Sequence, residues 1–216
     1  MPHSPRPAPR RRRAPALARQ EILDAADRVF ADSAPDRVGL KEIAAAAGVS
    51  HALVTHYFRT YAGLIEATFE RRIRALRESV IDRMGDAGVL ARPNELLGLL
   101  FRTLQDPVHV RLTRWLLASE SPAAAQTLGM QDHGIQLVAR QVATALEPKP
   151  SAALVERLGL TLLTAVAAAY GYALAKHTLV GSLGRDVSPE LDADVERTLS
   201  AMLAGQIRAA LKSSQQ

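Results

Sequence analysis

The sequence predicts an all-α fold, and three observations carry that prediction. Ala and Leu are abundant, aromatics make up only 4% of the 216 residues, and β-branched runs are few, a composition that favours helices over strands. Apolar residues recur with a 3.6-residue period in segment after segment. Proline and glycine clusters punctuate those segments, and no stretch alternates apolar and polar positions as a half-buried strand does. The reading is about nine helices: an N-terminal head of three, then six longer ones, with no internal repeat.

Taken in order, residues 1–14 are rich in Pro and Arg and have no periodicity, so a disordered basic arm is expected. A helix begins after Pro15, with Ile22, Leu23, Ala26, Val29 and Phe30 on one face, and "DSAPDR" stops it. Leu40–Ala47 is a second, short helix with Leu40, Ile43, Ala44 and Ala47 on one side. Gly48 breaks it, and Ser50 is placed to cap a third helix, His51–Phe58. A long helix follows over Tyr61–Met84, apolar through Leu64, Ile65, Phe69, Ile73, Leu76, Val80 and Ile81. Its Arg71, Arg72, Arg74, Arg77 and Arg83 read as a solvated face. After "GDAGVLARP", helices are expected at 93–105, 107–119, 122–146, 151–180 and 188–212, bounded by Pro93, Pro107, Pro122, "EPKPS" and "GSLGRDVSPE".

The net charge of +5 is unevenly placed. Residues 1–20 hold six arginines and no acid, which leaves 21 basic against 22 acidic side chains in the remainder. The pI near 10.0 therefore reflects a tail, and a basic arm of this kind suits phosphate. The absence of cysteine excludes disulfides and thiolate metal sites. No apolar stretch of signal-peptide length opens the chain, and no run approaches the roughly 18 apolar residues of a membrane span, so a soluble, cytoplasmic protein is expected. There is no Gly-rich phosphate loop, no GxSxG and no paired His/Glu metal spacing. His51 and His56 are five apart and do not share a face as i, i+4 ligands do. No catalytic residue, metal or cofactor is expected.

The stretch "EIAAAAGVSHALVTHYF" carries the function. Ala44 is small enough for the third helix to cross close over the second, and Gly48 supplies the positive φ of a tight turn. Val49, Val54 and Phe58 point back to the first helix, which leaves His51, Ala52, Leu53, Thr55 and His56 outward. That is a helix-turn-helix whose second helix suits the major groove. Imidazoles and hydroxyls reach base edges or phosphates, and Ala52 or Leu53 meets a thymine methyl.

With "IAxxAGVS", "HYF" and "LIEA" in this order and spacing, residues 19–69 resemble the DNA-binding domain of the tetracycline-repressor (TetR) family. The resemblance implies a homodimer on a pseudo-palindromic operator in double-stranded DNA, with a C-terminal domain that binds a small ligand and so releases DNA. Carried over by position, the DNA-binding set is Gly39, Ser50, His51, Ala52, Leu53, Thr55, His56, Tyr57 and Tyr61, with Tyr57 on a phosphate. Arg10, Arg11, Arg12 and Arg13 of the arm join it. Three positions depart from the family pattern: Gly39 stands where Thr is common, Thr55 where Tyr is common, and Tyr61 where Lys is common. Residues 21–65 hold four basic and six acidic side chains, so the arm is expected to supply salt-dependent affinity while the third helix selects sequence.

The expected organisation is the arm over 1–14, a DNA-binding domain over 15–60 and a ligand-binding and dimerisation domain over 61–216. The segment "LVERLGLTLLTAVAAAYGYALAKHTL" is nearly apolar all round and needs cover on two sides. The resemblance implies a four-helix bundle between two copies, through Leu160, Leu163, Ala167, Tyr170, Leu199, Met202 and Leu203. Candidate effector-lining residues are Phe101, Leu104, His109, Trp115, Met130, His133, Leu137, Tyr170 and His177. No acidic residue stands out in the apolar runs there, so an apolar or aromatic effector is expected. The competing reading is a DNA-binding protein of the same fold without an effector, architectural or controlled by a partner.

Overall fold

The computed structural model describes residues 15–84, 93–119 and 134–214. Nine α-helices and one 3-10 turn account for nearly all of them, and no strand occurs among the described residues. The helices are α1 (Pro15–Asp32), α2 (Leu40–Ala47), α3 (His51–Phe58), α4 (Tyr61–Met84), α5 (Pro93–Gln105), α6 (Pro107–Ala118), α7 (Gly134–Leu146), α8 (Ala152–Gly181) and α9 (Pro189–Ser214), with the 3-10 turn at Pro35–Arg37. The arm and the first part of the helix expected over 122–146 lie outside the described residues. Contacts divide the chain into two units, with the division after Ala67 inside α4.

In the first unit α1 packs on α2, and α2 on α3. The core is Ile22, Leu23, Ala26, Phe30, Ile43, Val54 and Phe58, joined by Leu64 and Ile65 from the start of α4. Ala44 is buried, as the close crossing of α3 over α2 requires. Ala25, not singled out by the period, is fully buried, while Val29 is half-buried.

In the second unit α8 is the common partner of α5, α6, α7 and α9. One cluster joins Phe101 and Leu104 of α5 to Ala169, Tyr172 and Val180 of α8 and Leu191 of α9. Another joins Ala139, Val142 and Ala143 of α7 to Leu154 and Leu158 of α8 and Ala210 of α9. The sequence predicts α8 as one uninterrupted helix, but it kinks at Ala175, whose φ and ψ are −117° and 19°. The Arg114 guanidinium of α6 donates to the Leu174 carbonyl at 2.7 Å, and a side chain inserted at a helix carbonyl is one identifiable cause of such bends.

α8 also corrects the expectation that no segment is apolar enough for a membrane. An 18-residue window within it reaches a mean hydropathy of 1.6, enough to cross a bilayer by length and composition. Scattered Thr and Gly residues conceal this from a search for unbroken apolar runs.

Candidate nucleic-acid interface

The local chemistry of α2 and α3 follows the sequence closely. Gly48 adopts φ 64°, the left-handed conformation. Its N–H donates to the Ala45 carbonyl and the Val49 N–H to the Ala44 carbonyl at 3.0 Å, which closes the end of α2. The Ser50 hydroxyl accepts from the Leu53 N–H at 3.2 Å and caps α3. At the far end Arg59 holds a positive φ of 63°, strained for a residue with a Cβ. A Cβ on Gly63 would lie 2.4 Å from the Phe58 carbonyl oxygen, so α4 approaches the end of α3 only because residue 63 is glycine.

The faces of α3 are sharply divided. Val54 and Phe58 are buried, and the Arg19 guanidinium of α1 lies over the Phe58 ring at 5.3 Å. Arg19 is thus part of the folded head, and the arm before it holds five arginines. Ser50, His51, Ala52 and His56 are exposed, while Leu53, Thr55 and Tyr57 are half-buried. The Tyr57 ring meets His56 edge-on at 5.3 Å, and the Thr55 hydroxyl donates to the His51 carbonyl at 3.1 Å. Thr55 keeps only acceptor capacity for an outside group. Arg10, Arg11, Arg12 and Arg13 lie outside the described residues.

Two residues expected at phosphates already hydrogen-bond within the head. The Gly39 N–H donates to Glu42 Oε2 at 3.0 Å, so the one group a glycine offers is already used. The Tyr61 hydroxyl donates to the Pro35 carbonyl at 2.7 Å. Burial, then Glu42 and Asp36, push its pKa upward, which keeps it protonated. Conversely, the motif does not include Arg59, which is exposed. No glycine or asparagine in the sequence signals its backbone, so charge at the end of α3 is the sole available clue.

The candidate effector residues divide. Phe101, Leu104 and His109 are buried; Trp115 and Tyr170 are half-buried; Leu137 and His177 are exposed. Met130 and His133 lie outside the described residues. His109 and Tyr170 meet, with Nε2 3.0 Å from the hydroxyl, and Tyr170 packs against the Phe101 and Leu104 cluster. A groove of about 730 Å³ lies elsewhere, between α7 and α8 beside Ile135, Arg140, Val155, Glu156, Leu160 and Leu163. None of the described effector candidates lines it. Of the dimer candidates, Leu160, Leu163, Ala167 and Met202 are exposed and Leu199 is half-buried. Leu203 packs against Ala165 within the chain, and Tyr170 turns toward His109, so these two serve the internal core.

Residues 22–68 match the family described as bacterial regulatory proteins, tetR family. Residues 22–68 thus carry a domain of the tetR family. An uncharacterised HTH-type transcriptional regulator of Mycobacterium tuberculosis is 30% identical over 118 residues, 54% of this chain and 57% of that protein. The HTH-type transcriptional regulator BetI of Rhizobium meliloti is 38% identical over 86 residues, 40% of this chain and 41% of that one. The chain thus spans about half the length of the curated relatives it matches. A TetR-family regulator from Mesorhizobium loti superposes with a TM-score of 0.68 at 16% identity, over 91% of this chain and 98% of that one. One from Streptomyces coelicolor gives 0.59 at 23% identity, over 91% and 89%. These two structures establish that the TetR fold extends into the C-terminal helices.

Proposed function

We propose that the chain is a homodimeric, sequence-specific DNA-binding transcriptional regulator of the cytoplasm. In this reading it is a non-enzymatic repressor released by a small apolar or aromatic effector. The observation that carries the reading is the exposed face of α3. His51, Ala52 and His56 serve no part of the core, yet the helix that bears them is capped by Ser50 and anchored by Val54 and Phe58. A rigid helix with an outward, hydrogen-bonding face suits the major groove. His51 and His56 read base edges, Ala52 and Leu53 meet thymine methyls, and Tyr57 with Arg59 lies toward phosphate. The arm arginines Arg10–Arg13 add charge that the slightly acidic head lacks. The relatives' names as transcriptional regulators support the same reading.

The exposed apolar side chains of α8 and α9 support the dimer. Leu160, Leu163 and Met202 are 58%, 50% and 64% exposed. Ala167 and Gly171 continue the α8 face at helical spacing, with no atom of the described residues within 4 Å of a Cβ at Gly171. A second copy covers this face by two-fold symmetry, and a dimer matches two half-sites. A bilayer is the weaker partner, because the opposite side of the same helix already packs on four others.

The test is a binding selection from random duplex DNA at near-physiological salt. A two-fold symmetric motif is the expected result. Sequence-blind binding that vanishes as salt rises would overturn the reading in favour of an architectural protein.

A further inference from the structure

Among the described residues, His109 is the one titratable side chain with no solvent exposure. Its backbone is held at both ends. Its N–H donates to Asp106 Oδ1 at 3.1 Å, and its carbonyl accepts from the Thr113 hydroxyl at 2.8 Å. The ring stacks on Phe69 of α4 with centroids 5.0 Å apart, and Nε2 lies 3.0 Å from the Tyr170 hydroxyl. The other nitrogen, Nδ1, is buried and has no hydrogen-bond partner among the described residues. Leaving a buried polar atom without a hydrogen bond is costly.

The surroundings define what can meet it. Burial, with Arg72 adding to it, lowers the His109 pKa to about 4, so the imidazole is neutral near pH 7. The Arg72 guanidinium is paired with Asp106, so among the described residues no net charge faces the ring, and a charged ligand would bury its charge uncompensated. Either tautomer leaves Nδ1 unsatisfied. If Nε2–H donates to the tyrosine, Nδ1 is an acceptor; if the tyrosine donates to Nε2, Nδ1–H is a donor. A hydroxyl answers both cases because it donates and accepts. Beyond Phe69, Ile73 and Leu76 continue the same stripe of α4 and are only half-buried, which leaves apolar surface for a hydrocarbon body.

We propose, resting on the effector reading above, that His109 Nδ1 is the polar anchor of a site for an uncharged hydroxylated apolar molecule, an alcohol or phenol, whose hydrocarbon part lies along Phe69 and Ile73. The probes are p-cresol and 4-pentylphenol, each against its methyl isostere, p-xylene and 4-pentyltoluene. Binding is followed by nitrogen NMR of the full chain with labelled histidine. The His109→Phe/Tyr170→Phe double variant identifies the His109 signal. It removes both partners together, so neither is left unpaired. The phenols are expected to shift the His109 Nδ1 resonance and to bind about tenfold more tightly than their isosteres. That preference is expected to vanish in the double variant. Equal affinity for phenol and isostere, no binding of either phenol, or phenol binding that leaves His109 unshifted overturns the proposal. The isostere comparison needs only the unaltered chain, so a double variant that fails to fold does not remove the test. Release of the selected duplex is measured separately. Phenol bound at His109 without DNA release counts against the effector reading and leaves the anchor standing. Release by a molecule that does not touch His109 has the opposite meaning.

Discussion

The Tyr61 hydroxyl donates a 2.7 Å hydrogen bond to the carbonyl of Pro35, 26 positions earlier in the chain. It ties the first residue of α4 to the turn between α1 and α2. Tyr61→Phe is expected to lower the unfolding free energy by about 1 kcal/mol. DNA affinity, measured where both proteins are fully folded, is expected to stay unchanged. A weaker affinity of the folded variant would make Tyr61 a phosphate ligand instead of a strut.

Gly48 is held at φ 64°, and no atom of the described residues lies within 4 Å of where its Cβ would sit, so replacement meets backbone strain and no clash with them. Gly48→Ala is expected to cost about 1–2 kcal/mol, read from the urea midpoint. An unshifted midpoint would show that the turn between α2 and α3 does not depend on left-handed backbone.

His109 carries a pH prediction. Its pKa is about 4 in the folded chain against 6.5 ordinarily, so the unfolded chain takes up the proton first as pH falls. Stability from this group is intact above pH 6.5, falls between 6.5 and about 4, and levels off below. The loss reaches about 3 kcal/mol. Chemical unfolding at pH 7 and pH 4.5 should show a smaller difference in His109→Phe/Tyr170→Phe. Equal differences in the two proteins would remove His109 as the source.

The arm makes a salt prediction. Deleting residues 1–14 removes five arginines. The log–log slope of affinity against salt should flatten by up to about 0.9 per arginine that contacts a phosphate, while the preferred DNA site stays the same. An unchanged slope and affinity would mean the arm takes no part in binding.

The exposed α8 and α9 face makes an assembly prediction. Leu163→Glu with Met202→Glu places charge on two residues that are half or more exposed within one chain. The fold should persist by circular dichroism while sedimentation reports a monomer and binding to the two-fold site weakens. A variant that remains a dimer would move the interface elsewhere.

Helix boundaries were largely legible because their causes are local. Pro107 opens α6, Ser50 and Ser151 cap α3 and α8, and Gly48 turns the chain after α2. The exposure of His51, Ala52 and His56 on α3 was legible too, because Val54 and Phe58 set its inner side by period alone, while Leu53 and Thr55 of the expected outward set are half-buried. The kink at Ala175 was not, because Arg114, which donates to the carbonyl of Leu174 beside it, comes from another helix, 60 positions from Leu174. Nor was the inward turn of Leu203, since α9 has apolar residues on more than one side and period cannot rank them.

What the sequence by itself determined is the all-α class, the capped helix-turn-helix and the charge held in the arm, all consequences of neighbours within a few residues. What only the tertiary structure decided is which polar groups are already used. Gly39 and Tyr61 are spent inside the head, Tyr172 and Lys176 share Asp192, and His109 meets Tyr170 across 61 positions. A hydrogen-bonding group's availability depends on what the rest of the chain brings beside it, and that is a property of packing between elements distant in sequence.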